Sequence, residues 1–195
     1  GDMLMLTNMQ MDFYGGTAAG FADFKFLPDG RTDYRFDLSP TNTSLRLIMA
    51  DLFPHTKNLE GSISGQLVVT QANADDLLSW QGYGHAELRD GLIWAIPIFG
   101  VFSKPLDAIV PGLGASRVSD GTATYVITNG VIFSDDLVMR APTMRLKYQG
   151  TTDFEGRVVA RVEAELLRDA WLVGRLVSLA LWPVTKMMVY KVSGT

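Results

Sequence analysis

Apolar residues recur in this chain with a period of two. Thr32, Tyr34, Phe36 and Leu38 alternate with Arg31, Asp33, Arg35 and Asp37. Met144, Leu146 and Tyr148 alternate with Thr143, Arg145, Lys147 and Gln149. Val158, Ala160, Val162 and Ala164 oppose Arg157, Arg161, Glu163 and Glu165, with Val159 the one exception. Successive side chains of a strand point to opposite faces, so each run is a strand with one wet face and one apolar face. Buried parallel strands would be apolar on both sides, so the pattern belongs to antiparallel sheet. The predicted fold is mainly β: a curved antiparallel meander of eight to ten strands, gutter-like or half-barrel, with one apolar face and three to four short helices.

Turn signals separate the runs. Asp29-Gly30, Asp90-Gly91, Asp120-Gly121 and Asn129-Gly130 are pairs of the kind that tight hairpins demand. Asn129-Gly130, between Tyr125-Val126-Ile127 and Val131-Ile132-Phe133, is the strongest of them. Four helices are expected. One follows the polar residues Thr41 to Ser44, presents Leu45, Ile48, Met49, Leu52 and Phe53, and ends at Pro54. A brief second one starts after Asn73 and carries Leu77, Leu78 and Trp80. A third starts near Pro97 and aligns Ile98, Phe102, Leu106 and Ile109. The fourth runs from Leu166 to Trp182, stops at Pro183, and is followed by a returning strand over Lys186 to Val192. Strand, X-Gly turn, strand and amphipathic segment recur three times at unequal lengths, a repeated unit without a strict period. No linker or low-complexity block interrupts residues 1–195, which read as a single β-rich domain. Gly1-Asp2 resembles the scar of a cleaved tag, and the chain stops directly after an alternating run; both ends suggest an excised piece of a longer protein.

Composition narrows the function classes. The 195 residues are 47% hydrophobic and 19% charged, with a net charge of -4. That apolar fraction is too high for disorder. With no Cys there is no disulfide scaffold, thiolate metal site or cysteine nucleophile. Two His and a mildly acidic balance argue against a histidine-built metal centre and a broad nucleic-acid surface. The uncharged part of the greasiest stretch, Leu176 to Val184, is far short of the ~20 residues that span a bilayer.

Catalytic motifs are missing. Gly61-Ser62-Ile63-Ser64-Gly65 has Ile where a nucleophile elbow needs Ser. Gly82-Tyr83-Gly84 and Gly112-Leu113-Gly114 lack the third glycine of a dinucleotide fingerprint and read as tight-turn glycines. His85 and Glu87 alternate on a wet strand face, where a surface pair is the plainer reading than two metal ligands. Asp75-Asp76 suits a helix N-terminus and Asp135-Asp136 a loop; neighbours on a strand face opposite ways, so neither doublet is a dyad by itself. No enzyme, metal or cofactor is expected. What remains is apolar surface in excess, which either closes a core or floors a trough open to a hydrophobic ligand.

Residues 82–106 bear on that choice: Gly-Tyr-Gly-His-Ala-Glu-Leu-Arg-Asp-Gly, then Leu-Ile-Trp-Ala and the Pro-containing Ile-Pro-Ile-Phe-Gly-Val-Phe-Ser-Lys-Pro-Leu. This stretch resembles the C-terminal region of AsmA-like proteins. So do Leu59-Glu60-Gly61-Ser62-Ile63-Ser64-Gly65, Asp120-Gly121-Thr122-Ala123 with its Asn129-Gly130-Val131 return, and the following Leu137, Met139, Ala141 and Pro142. The resemblance extends over residues 36–194 and rests on the order of glycine and alternation patterns. It implies a Gram-negative envelope protein, anchored to the inner membrane and facing the periplasm, related to TamB-like bridge-type lipid-transfer proteins. Their repeated antiparallel sheets form a gutter with an apolar floor, associated with phospholipid traffic and outer-membrane assembly. The chain lacks the family's N-terminal membrane helix and is too short to bridge two membranes, so transfer would belong to the intact protein.

The expected function is to hold or conduct lipid acyl chains. The floor is assigned to Tyr34, Phe36, Leu38, Leu88, Tyr125, Ile127, Met144, Leu146, Tyr148, Val158 and Val162. Arg168, Trp171, Arg175 and Trp182 are candidates for facing a membrane surface, with arginines toward lipid phosphates. Phospholipid and envelope proteins are the expected partners, and nucleic acid is not. The rival readings are a closed-core structural or interaction module, and a sugar- or substrate-binding enzyme domain.

Overall fold

A computed structural model describes residues 2–52, 59–92, 117–142, 144–155, 157–166 and 188–194. Ten strands follow one another across a single open sheet. They are β1 (Met3–Phe13), β2 (Gly16–Phe26), β3 (Thr32–Thr41), β5 (Glu60–Asn73), β6 (Asp76–Leu92), β7 (Val118–Thr128), β8 (Val131–Ala141), β9 (Met144–Asp153), β10 (Val158–Leu166) and β11 (Met188–Gly194). A two-residue strand, β4 (Thr43–Ser44), pairs with β5 beside β3. Every pairing is antiparallel, and the first and last strands do not close on each other. The expected meander is therefore present, and it is open.

The strands run as far as the alternation runs, and they turn where φ can turn positive. Asn129 and Gly130 take φ of 51° and 73° and join β7 to β8 in two residues, the geometry that matches strand twist. Leu27 to Arg31 closes β2 onto β3 through the Gly30 N–H to Leu27 carbonyl bond (3.0 Å). Two expected turns are instead strand interior. Asp90, at φ 51°, kinks β6 without reversing it. Gly121 lies inside β7 under Met139 and Leu88, where side-chain packing leaves a Cβ little room. The Gly82-Tyr83-Gly84 glycines are likewise mid-strand in β6, pressed against β5 and β7, and form no turn. With Asp90-Gly91 and Asp120-Gly121 inside strands, the threefold strand–turn–strand unit loses its regularity.

Among the described residues there is one helix, α1 (Leu45–Leu52). It starts because β4 anchors it: Thr43 is fully buried and its hydroxyl donates to the Ile63 carbonyl (2.7 Å). Leu45 and Met49, one turn apart, are buried, while Arg46 and Ala50 face out. Tyr14, in the β1–β2 turn, donates to Asp51 (2.8 Å) and ties the helix to that end of the sheet. The helix expected after Asn73 does not form. Leu77, Leu78 and Trp80 belong to β6, Asp76 opens that strand, and Ala74-Asp75 make the β5–β6 turn, at whose ends Asn73 and Asp76 accept from the Asp75 and Leu78 amides. Asx turns of this kind compete with the helix the spacing suggests. The helices expected near Pro97 and over Leu166 to Trp182 fall outside the described residues, except that Leu166 ends β10. Of the strand expected to return over Lys186 to Val192, Met188 to Val192 belong to β11, and residues 186–187 fall outside the described residues. No described helix is long and apolar enough to cross a membrane.

Short turns (27–31, 74–75, 129–130 and 154–155) gather at one end of the sheet. The opposite end carries α1 and the flanks of the two long connections, 93–116 and 167–187. The main core lies toward that second end and the β8–β10 side. It joins Leu45 and Met49 of α1 to Leu59, Val118, Met139, Met144, Leu146, Tyr148, Val158 and Val162, with Ile63, Leu88 and Leu137 packed against them.

Candidate functional site: one apolar sheet face

Directly paired residues of an antiparallel sheet share a face. One row can be followed strand by strand: Leu6, Ala22, Phe36, Val69, Gly82, Ile127, Ile132, Thr152, Val158 and Gly194. A parallel row crosses Ile63, Leu88, Gly121, Met139 and Leu146. All eleven residues expected to floor a trough fall on this face, through direct pairing or the two-residue step along a strand. The opposite face carries cross-strand ion pairs, among them Arg35–Asp23 (2.6 Å) and Arg140–Asp120 (2.6 Å). His85, Glu87 and Arg89 are exposed on it, as the alternation requires.

The floor differs along its width. Met144, Leu146, Tyr148, Val158 and Val162 are buried, as is Ile127. Tyr34, Phe36, Leu38, Leu88 and Tyr125 are half-buried. On the β1–β2 side the same face carries Leu4, Leu6, Met11 and Phe26, all exposed. Sequence alternation did not find this part. Met3-Leu4-Met5-Leu6 is apolar on both faces, and β2 alternates through small residues, Ala18, Gly20 and Ala22. The structure also corrects one wet residue: Lys147 is exposed, but Arg145 is half-buried with its Nε unpartnered among the described residues.

At the short-turn end the floor meets an aromatic cluster. Trp80 sits edge-on to Phe36 (5.8 Å between ring centroids), Tyr34 (6.4 Å) and Phe154 (5.7 Å), and Phe24 lies 6.1 Å from Tyr34. The three Trp80 contacts are favourable edge-to-face arrangements. The Trp80 indole N–H donates to the Tyr34 hydroxyl (2.9 Å). Phe154 reaches in from the β9–β10 turn because its N–H is held by the Gly130 carbonyl (3.1 Å). β6 and β9 are three strand spacings apart, about 14 Å in a flat sheet, so this contact brings separated parts of the sheet edge together. Trp80 was missed because a short helical spacing was read there, and Phe154 because it lies between two alternating runs.

Tyr125 crosses the middle of the floor. Its ring lies over Gly84 and its hydroxyl donates to the Gln66 carbonyl (3.0 Å). Burial pushes its pKa up to about 12. Burial also raises Tyr148, partly offset by its hydrogen bond with Thr152. The described residues line a partly open apolar hollow of about 130 Å³ beside α1, formed by Leu45, Ile63, Ala86, Leu88, Leu137 and Met139. The larger depression, about 650 Å³, opens on the other face around Phe21, Asp37 and Gln66. Asp37 is its one titratable residue and both its oxygens accept from Gln66 (3.0 and 2.9 Å), so it offers no acid–base pair. Among the described residues no three His, Asp or Glu converge on a metal position. Asp135-Asp136 lie in β8 at a register shift, not in a loop, and Asp136 clamps Thr124 of β7. Arg168, Trp171, Arg175 and Trp182 lie outside the described residues.

No protein-family model matches the chain, and neither a curated protein nor a solved structure does.

Proposed function

We propose that the apolar face receives lipid acyl chains, laid against the floor on its β1–β6 side. The observation that carries this is the apolar row running unbroken from Leu6 to Val158 apart from Gly82 and Thr152, with Leu4, Leu6, Met11 and Phe26 left exposed at its β1–β2 end. Acyl chains need apolar area and dryness rather than point contacts, at about 25 cal/mol per Å² removed from water. No catalytic group is required on such a surface. The AsmA-like resemblance extends the proposal to a Gram-negative envelope protein, facing the periplasm and anchored to the inner membrane, that serves phospholipid transport and outer-membrane assembly. In this reading Arg168, Trp171, Arg175 and Trp182 contact the membrane surface.

The test is lipid retention. The purified chain is expected to carry extractable phospholipid and to bind an acyl-chain fluorophore. Leu38→Asp, on the half-buried floor, is expected to reduce probe binding at least tenfold while the β circular-dichroism spectrum persists. A wild-type chain that carries no lipid and binds no acyl probe overturns the proposal.

The second reading is a closed-core structural or interaction module. It is favoured by the β9–β10 floor, where Met144, Leu146 and Val162 are 1%, 2% and 3% exposed. It predicts no probe binding at all.

A further inference from the structure

Tyr125 interrupts the floor at its middle. Leu38 of β3 pairs with Leu67 of β5, and Leu67 with Gly84 of β6, which makes one half-buried row across these strands. The Tyr125 ring occupies the space over Gly84, and its hydroxyl is held by the Gln66 carbonyl. The row therefore cannot continue straight into β7. One two-residue step nearer α1, Gly65 pairs with Ala86 and Ala86 with Ala123, and the floor is low. Ala86 and Ala123 are half-buried and line the hollow beside α1, with Leu45, Ile63, Leu88 and Leu137 around them. Glu87 and Thr122 border it too, but their side chains are exposed on the opposite face. Among the described residues, apolar atoms alone form its surface. Past Leu137 the floor is filled: its partner Tyr148 is buried, and so are Leu146 and Val162.

We infer that this hollow seats the methyl end of a lipid acyl chain whose remaining length crosses the strands over Leu67 and Leu38, an inference that rests on the acyl-chain reading of the floor. Polarity decides which end enters. A carboxylate or phosphate among apolar atoms would give up its water with no donor in exchange. A methyl end gives up nothing and gains apolar contact. Packing decides the path. A chain lying on the Leu38–Leu67 row meets the Tyr125 ring and is turned toward α1, into the hollow. Tyr125 is thus a positioning residue, and its own polar atom is already satisfied by Gln66. The buried β9–β10 floor ends the path on the far side, so the head of the lipid lies toward β2. Concave, apolar and partly open, the hollow has the character of a small-molecule subsite.

The test follows the two ends of one acyl chain on the wild-type protein. Stearate carrying a nitroxide near its methyl end, or near its carboxyl group, broadens the methyl signals of isotope-labelled alanines close to it. The methyl-end probe is expected to broaden Ala86 and Ala123 several-fold more than Ala22, which lies on the same face in β2, and the carboxyl-end probe the reverse. Ala123→Leu, which fills the hollow, is expected to weaken stearate binding at least tenfold with an unchanged circular-dichroism spectrum. A carboxyl-end probe that broadens Ala86 and Ala123 as strongly as the methyl-end probe overturns the inference. So does an unchanged stearate affinity in Ala123→Leu; both results leave the floor holding acyl chains in another orientation. Probes that broaden no alanine of the floor overturn the acyl-chain reading itself, and the inference with it.

Discussion

The ring of Tyr125 lies over Gly84 on the next strand, so close that a Cβ on Gly84 would stand 2.5 Å from the phenolic oxygen and 2.7 Å from Cζ. The hydroxyl passes across β6 to the Gln66 carbonyl on β5. The missing side chain at 84 is thus the space the ring occupies. Gly84→Ala must displace the ring or the β5 backbone, and such overpacking costs about 1–3 kcal/mol. The urea midpoint is expected to fall accordingly; an unchanged midpoint would mean that Tyr125 does not rest there.

The same ring gives a pH signature. Burial raises the Tyr125 pKa from 10.0 to about 12, so the folded state holds its proton more tightly than the unfolded state. Its contribution is complete below pH 10 and is lost as pH rises from 10 to 12, about 2–3 kcal/mol in all. Tyr125→Phe cannot titrate. The stability gap between wild type and this variant should therefore shift in the variant's favour across that window. Parallel curves from pH 8 to 12 would refute the burial.

Alternation exposed β3, β9 and β10 because each has a charged face to contrast with its apolar one. It failed for β1 and β2, where Met3-Leu4-Met5-Leu6 offers no contrast and Ala18, Gly20 and Ala22 are too small to weigh. The floor residues were legible for the same reason: strict alternation along a strand fixes the face, and antiparallel register carries that face across the sheet. The aromatic end was not legible. Phe154 meets Trp80 only because β7 and β8 carry the register from β6 to β9 and the β9–β10 turn bonds to Gly130. Asp90-Gly91 and Asp120-Gly121 misled because both pairs lie inside strands. Gly121 is buried beneath Met139 and Leu88.

That aromatic end holds the short-turn side together. Trp80→Phe keeps most ring packing but removes the indole bond to Tyr34, with an expected loss of about 1 kcal/mol. Phe154→Ala removes the only ring that reaches Trp80 from the β9–β10 turn among the described residues, at about 2–3 kcal/mol for a partly exposed aromatic. Trp80 emission is expected to shift red in Phe154→Ala. No shift in a variant that keeps Trp80 as its single tryptophan would place Phe154 elsewhere.

Asp136 supplies an acid-side test. Desolvation raises its pKa, but the Thr124 amide and hydroxyl (both 2.7 Å) and the Ser134 hydroxyl outweigh that, so the net shift is downward. A depressed carboxyl pKa contributes stability that is present above the unfolded value and lost as pH falls through the folded one. Asp136→Ala is expected to cost about 1 kcal/mol at pH 7, the low end for a charged acceptor because solvent competes. The deficit should shrink toward pH 2, measured by urea midpoints. A deficit that is constant with pH would mean the carboxylate contributes no charge-dependent bond to Thr124.

The two faces of the sheet can be separated by one chemical change at two sites. Leu146 on β9 is 2% exposed, while Val159 on β10 is 63% exposed. Pairing places Leu146 with Met139 on the apolar floor and Val159 with Thr151 on the opposite face. An aspartate at 146 must either ionise without a partner or take up a proton, and it also loses the leucine's packing; together these exceed about 4 kcal/mol. At 159 the carboxylate stays in water, and the change should lie within about 0.5 kcal/mol. Leu146→Asp is therefore expected to abolish the cooperative unfolding transition, and Val159→Asp to leave its midpoint in place. Leu146→Ala, at about 2–5 kcal/mol, keeps the comparison readable if the aspartate variant does not accumulate. Equal effects at 146 and 159 would mean that the two residues do not occupy opposite faces, and the apolar floor would have to be redrawn.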